Sequence, residues 1–113
     1  MALHHFLIHD TGHTILFMPS LDSLFFSAEL GSAPELDLHG TTVAIALGEL
    51  DHFLHAHWHH KEPIVRIIHG RGSGTLRQAI HKWLKHQPKM VLAFRDSTRM
   101  DEVGAVTYVV FRL

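Results

Sequence analysis

The 113-residue chain predicts an α/β fold of the α+β kind, a two-layer sandwich with a mixed four-stranded sheet. The order of elements is β-α-β-α-β-β, preceded by an N-terminal extension. Three observations lead there. Ile64 to Ile68 is a run of branched apolar residues, as in a strand buried on both faces. A loop with glycine at 70, 72 and 74 follows, and then Leu76, Ala79/Ile80 and Trp83/Leu84 recur at the spacing of a helix with one buried face. Val43, Ala46/Leu47, Leu50, Phe53/Leu54 and Trp58 repeat that spacing upstream. Strands alternating with crossover helices are normally parallel, with right-handed connections.

Each element follows in turn. Phe6-Leu7-Ile8 and Ile15 to Met18 flank Asp10-Thr11-Gly12 as in a hairpin. Pro19-Ser20 opens a short helix carrying Leu21, Leu24, Phe25 and Leu30, closed by Gly31. This extension, residues 1–35, is too apolar to stand free in water. It is expected to pack on the domain formed by 36–113 or on a second copy, the latter giving a homodimer. Leu36 to His39 alternates apolar and polar residues, placing Leu36 and Leu38 on one strand face and Asp37 and His39 on the other. Side chains two apart on a strand rarely bond directly. Thr41 or Thr42 caps the first main helix, which ends near His60. Pro88 stops the second. Met90 to Phe94 reads as a third strand, Arg95 to Val103 as a polar loop, and Ala105 to Leu113 as a final strand antiparallel to the third.

The composition bounds the function. With 46% hydrophobic and 19% charged residues, the chain is an ordinary globular domain. It has no cysteine and no apolar run near the roughly 20 residues that span a bilayer. A soluble cytoplasmic protein without a membrane partner is expected. The net charge of −1 hides a division: residues 1–60 carry −7 with no Lys or Arg, and residues 61–113 carry +6. The two halves either attract each other within the fold, or the basic half meets nucleic-acid phosphates.

Chemistry concentrates at the glycine loop. The backbone N–H groups that open a helix lack intrahelical partners and sit at the positive end of its dipole, where phosphates bind. Arg71 and Arg77 add charge there. In sheets of this kind, ligands sit beyond the carboxyl ends of the parallel strands. His39-Gly40 and His69-Gly70 both fall at such ends, so the two corners are expected to be neighbours.

Leu36-Asp37-Leu38-His39-Gly40, a helix, and then Ile68-His69-Gly70-Arg71-Gly72-Ser73-Gly74-Thr75-Leu76-Arg77 together resemble the Smr (small MutS-related) domain, in its stand-alone bacterial form. The resemblance covers about residues 36–113. It implies a sandwich similar to the C-terminal domain of bacterial translation initiation factor three. It further implies an endonuclease that nicks branched or duplex DNA, or cleaves RNA, including mRNA on stalled ribosomes. Asp37, His39, His69 and Gly72 would then belong to the active or nucleic-acid-binding surface. Where the family carries a glycine pair, Asp101-Glu102 stand here, two acids expected to repel substrate or reshape the loop.

Phosphodiester cleavage needs a nucleophile activated, charge on phosphorus oxygens neutralised and a leaving oxygen protonated. His39 and His69 are the candidates for proton transfer, with Asp37 orienting His39. Arg66, Arg71, Arg77 and the backbone at Gly70, Gly72 and Gly74 are the candidates for holding phosphate. On RNA, a histidine would deprotonate the 2′-hydroxyl without metal. On DNA, water must be activated, and Asp37 would hold Mg²⁺. The alternative is a nucleic-acid- or ribosome-binding module without catalysis. Histidines crowd two other stretches, His4, His5, His9 and His13, and His52, His55, His57, His59 and His60. His52, His55 and His59 share a helical face that could take Zn²⁺, Ni²⁺ or Cu²⁺, but they read better as solvated surface positions.

Overall fold

The structure, a computed structural model, describes residues 6–9, 14–17 and 20–113. Strands β1 (Phe6–His9) and β2 (Thr14–Phe17) pair antiparallel, Phe6 opposite Phe17. Then follow α1 (Leu21–Leu30), β3 (Glu35–Asp37), α2 (Val43–His59), β4 (Ile64–Ile68), α3 (Thr75–Lys85), β5 (Val91–Asp96) and β6 (Val106–Phe111).

The main sheet runs β3-β4-β6-β5. β3 and β4 are parallel, and β6 is antiparallel to both β4 and β5. β6 therefore lies between the strands that α3 connects, leaving β3, β4 and β5 pointing the same way. Over residues 36–113 this is the expected sandwich. Helices α2 and α3 bury Ala46, Leu50, Leu54, Ile80 and Leu84 against Val65, Ile67 and Val109. Complete burial of a Leu or Ile side chain stabilises by about 1.5–3 kcal/mol before entropy is counted. The opposite sheet face is covered by α1, whose Phe25 and Ala28 pack on Ile64, Tyr108 and Val110. The extension thus adds a third layer, which is why β6 is buried on both faces.

Local chemistry explains the helix limits. Ser20 and Thr42 cap α1 and α2 by accepting from Ser23 and Ile45 N–H groups. Two boundaries differ from expectation. β5 continues through Arg95 and Asp96, which the sequence placed in the loop. Their charges are tolerated in a strand because each is paired. Arg95 contacts Glu29 at 3.1 Å and lies 4.6 Å from the Phe25 ring centroid, while Asp96 holds Arg77. β3 stops at Asp37, leaving His39 in a turn rather than in the strand.

Ion pairs cross the charge divide. Glu35 binds Arg66 and Glu29 binds Arg95, so part of the acidic half neutralises part of the basic half within the fold.

Candidate nucleic-acid site

The two histidine–glycine corners meet. Leu38 N–H donates to Ile68 C=O at 2.7 Å, and His69 and Gly70 N–H both donate to Ala105 C=O at 3.0 Å, so the ends of β3, β4 and β6 are tied together. Gly70 has φ +80°, a left-handed conformation that suits glycine. A Cβ there would lie 3.2 Å from the His39 Cβ. Between the corners lies an open cavity of about 340 Å³. Its walls are Gly40 to Val43 on one side and His69 to Arg77 on the other. The N-terminus of α3 opens onto this cavity, with Gly74 as a left-handed N-cap that has no side chain to offer and Ser73 Oγ accepting from the Thr75 N–H at 3.3 Å. The amides of its first turn therefore have no intrahelical acceptor.

Because the chain leaves the strand after Asp37, the two side chains expected on one face bond directly, which residues two apart on a regular strand rarely do. Asp37 Oδ1 lies 2.6 Å from His39 Nδ1 and also accepts from the His39 backbone N–H at 3.1 Å. Those hydrogen bonds hold the Asp37 carboxyl below the usual carboxylate range. An ionised carboxylate facing Nδ1 makes that nitrogen the proton-bearing one and leaves the lone pair on Nε2. Both residues are exposed.

His69 is placed otherwise. It is buried, with Nδ1 on Gly70 C=O at 3.1 Å and Nε2 on the Thr107 hydroxyl at 2.8 Å. Burial pushes its pKa down. Both ring nitrogens are engaged, so it braces the glycine corner and lines the cavity wall without a spare proton-transfer atom.

The arginines divide too. Arg66 lies on the sheet face that α1 covers, bound to Glu35 and Glu102, and is not at the cavity. Strand alternation decides this, since residue 66 faces away from 65 and 67. Arg77 lines the cavity but its guanidinium grips Asp96 at 2.6–3.2 Å. Arg71 donates to the carbonyls of Asp101 and Val103, tying the glycine loop to the loop after β5. Glu102 does not face a phosphate path. It is buried, accepting from Arg66, Ser97 and Tyr108.

Three further residues lie behind the cavity. His81 of α3, Asp96 of β5 and Thr107 of β6 meet His69 at one point. His81 is four residues after Arg77, so helical spacing alone puts the two on one face. Nothing in the chain order brings Asp96 or Thr107 to them. The α2 histidines form no such group among the described residues, and His55 is taken up by Asp51.

The fold and this pair of corners define a domain family. Residues 36–112 match the profile of the Smr domain, and the chain belongs to that family. Among proteins it resembles are the MutS2 endonucleases. That of Caldicellulosiruptor saccharolyticus is 39% identical over 77 residues, 68% of this chain and 10% of the relative. That of Thermomicrobium roseum is 47% identical over 55 residues, 49% of this chain and 7% of the relative. The chain thus spans about a tenth or less of these relatives. The crystal structure of the Smr domain of Thermus thermophilus MutS2 superposes with a TM-score of 0.66 at 38% identity, covering 71% of this chain and 99% of that one. The B3BP Smr domain shares the fold at a TM-score of 0.54 and 24% identity, over 80% of this chain and 88% of that one. Among the described residues no helix is long and apolar enough to cross a membrane.

Proposed function

We propose that this Smr domain is an endonuclease that cuts phosphodiester bonds in RNA or structured DNA, with RNA the favoured substrate. The observation that carries the reading is the Asp37–His39 pair, a fixed-tautomer imidazole beside a cavity walled by glycine-loop backbone. On RNA, His39 Nε2 takes the proton of a 2′-hydroxyl, and the oxygen attacks the adjacent phosphorus. The 5′ oxygen leaves with a proton from water, giving a 2′,3′-cyclic phosphate and a 5′-hydroxyl. First-turn amides of α3 hold the non-bridging oxygens as charge develops. Arg71 is the cation of the glycine loop, and Arg77 and Arg66 act through structure, being paired with acids. The relatives named as endonucleases support the class of activity.

Mg²⁺ fits this site poorly. Asp37 Oδ1 already accepts two hydrogen bonds, and the neighbouring carboxylate on β3, Glu35, is bound to Arg66. A hard cation there would have one protein oxygen and otherwise water.

A second reading, a nucleic-acid- or ribosome-binding module without catalysis, is favoured by the engagement of both His69 nitrogens, which leaves His39 without a histidine partner for the second proton transfer. End-labelled RNA and branched DNA incubated with wild type, Asp37→Ala and His39→Ala separate the two. Loss of a general base lowers rate by about 10²–10⁴-fold, so cleavage should fall at least that far in both variants while binding persists. Tight binding by wild type without any product would leave the recognition module standing.

A further inference from the structure

Three elements, α3, β5 and β6, and the glycine corner itself send one side chain each to a common point. Thr107 Oγ1 of β6 lies 2.8 Å from His69 Nε2, 2.8 Å from His81 Nε2 and 3.2 Å from Asp96 Oδ1. His81 Nε2 and Asp96 Oδ1 are themselves 3.3 Å apart. All three of the imidazole and carboxylate donor atoms fall within 4.8 Å of one another. Ligands at about 2.0–2.2 Å from a four-coordinate ion are separated from each other by distances of this order. From this convergence we propose that His69 Nε2, His81 Nε2 and Asp96 Oδ1, with the Thr107 hydroxyl as fourth and weakest donor, form a closed binding site for a zinc-class divalent ion.

Proton bookkeeping supports the assignment. Thr107 has one hydroxyl proton, while two ring nitrogens and a carboxylate oxygen face it. His69 Nδ1 is directed to Gly70 C=O, where it donates, so its Nε2 carries a lone pair. A metal-bound histidine almost always makes that outward hydrogen bond to a carbonyl or carboxylate. Arg77 grips Asp96 most closely at Oδ2, at 2.6 and 3.0 Å, and reaches Oδ1 only at 3.2 Å, leaving Oδ1 turned to the cluster. Hydrogen-bonded ligand carboxylates of this kind are the usual outer support of a metal site. Two imidazoles and one carboxylate select zinc-class ions over Mg²⁺ or Ca²⁺, which prefer oxygen alone. Such an ion would clamp α3, β5 and β6 to the corner that shapes the cavity, and its existence does not depend on the domain being a nuclease.

Co²⁺ is the probe, because a closed four-coordinate site gives strong visible absorption whereas exposed histidines give weak six-coordinate spectra. Full-length wild type titrated with Co²⁺ at pH 7.5 should develop that absorption at one equivalent and lose it on addition of Zn²⁺. Asp96→Asn, which keeps the shape, should weaken binding at least about tenfold, the scale on which even outer-shell changes act. His81→Ala should abolish the band, and circular dichroism checks that each variant is folded. A triple variant, His52→Ala with His55→Ala and His59→Ala, should keep it. Absence of the band in wild type, or its survival in folded Asp96→Asn at unchanged affinity, would overturn the site and leave a hydrogen-bonded hub around Thr107.

Discussion

Gly70→Ala tests whether the two corners work as one unit. Gly70 and Gly40 both hold left-handed backbone, at φ +80° and +78°. An L side chain in that region costs roughly 1–2 kcal/mol. At Gly40 an added Cβ meets nothing within 4 Å, so Gly40→Ala isolates the backbone cost. At Gly70 the same methyl lies 3.2 Å from His39 Cβ, and the His39 turn must give way by a few tenths of an ångström. His39 is also held at Nδ1 by Asp37, so the displacement is passed to the dyad. Gly40→Ala should lose about 1–2 kcal/mol in urea unfolding and Gly70→Ala at least as much. With a slope of about 1.5 kcal/mol per molar, that is a midpoint shift of about 1 M. In single-turnover cleavage the two should separate, Gly70→Ala falling by up to about 10²-fold, the scale of a misplaced catalytic group, and Gly40→Ala much less. Equal activity in the two variants would refute the coupling of the corners through residue 70.

Other perturbations address the scaffold. Phe25→Ala removes the aromatic by which α1 covers the sheet and should cost about 3–5 kcal/mol in denaturant unfolding; a loss below about 1 kcal/mol would mean α1 is not part of the cooperative unit. Glu102→Gln leaves Arg66 with Glu35 as its remaining partner, so a loss of roughly 1–3 kcal/mol is expected at neutral pH. Burial alone would raise the Glu102 carboxyl, but Arg66, Ser97 and Tyr108 together hold it below its ordinary 4.5. The unfolded chain then binds the proton more readily, so this stability is complete above pH 4.5 and drains as pH falls through the folded value. Melting temperature should therefore decline less steeply below pH 4.5 in Glu102→Gln than in wild type, and parallel slopes would contradict the assignment. Glu29→Gln should loosen the loop after β5, because Glu29 accepts from the Thr98 hydroxyl and amide and from Arg95. Faster hydrogen exchange at 97–104 is the readout, and unchanged exchange would count against this tether.

The helices and buried strands were readable because their periods are local. Leu50, Leu54, Ile80 and Leu84 fall where helical spacing puts them, and all are fully or almost fully buried. The meeting of His39-Gly40 with His69-Gly70 was also legible, since strands joined by a crossover helix run parallel and leave their carboxyl ends on the same side of the sheet. Strand limits were harder. Arg95 and Asp96 look like loop residues until Glu29 and Arg77, far away in the chain, are seen to pair with them. The same holds for the acids in the glycine-pair positions: Glu102 looked like a charge on the substrate path and is a buried partner of Arg66.

By itself, then, the sequence determined the element order, the sheet class and the glycine-rich turn that opens α3, all of which follow from residue type and spacing within about twenty positions. Tertiary structure alone decided which charges are available. Whether Arg66, Arg77, His69 or His39 keeps a donor or lone pair for a substrate depends on partners 31, 19, 38 and 2 residues away. Only for the last does the chain's local path decide it, and even there the end of β3 had to be known. Spacing sets which face a side chain takes, but packing sets what already occupies its hydrogen bonds.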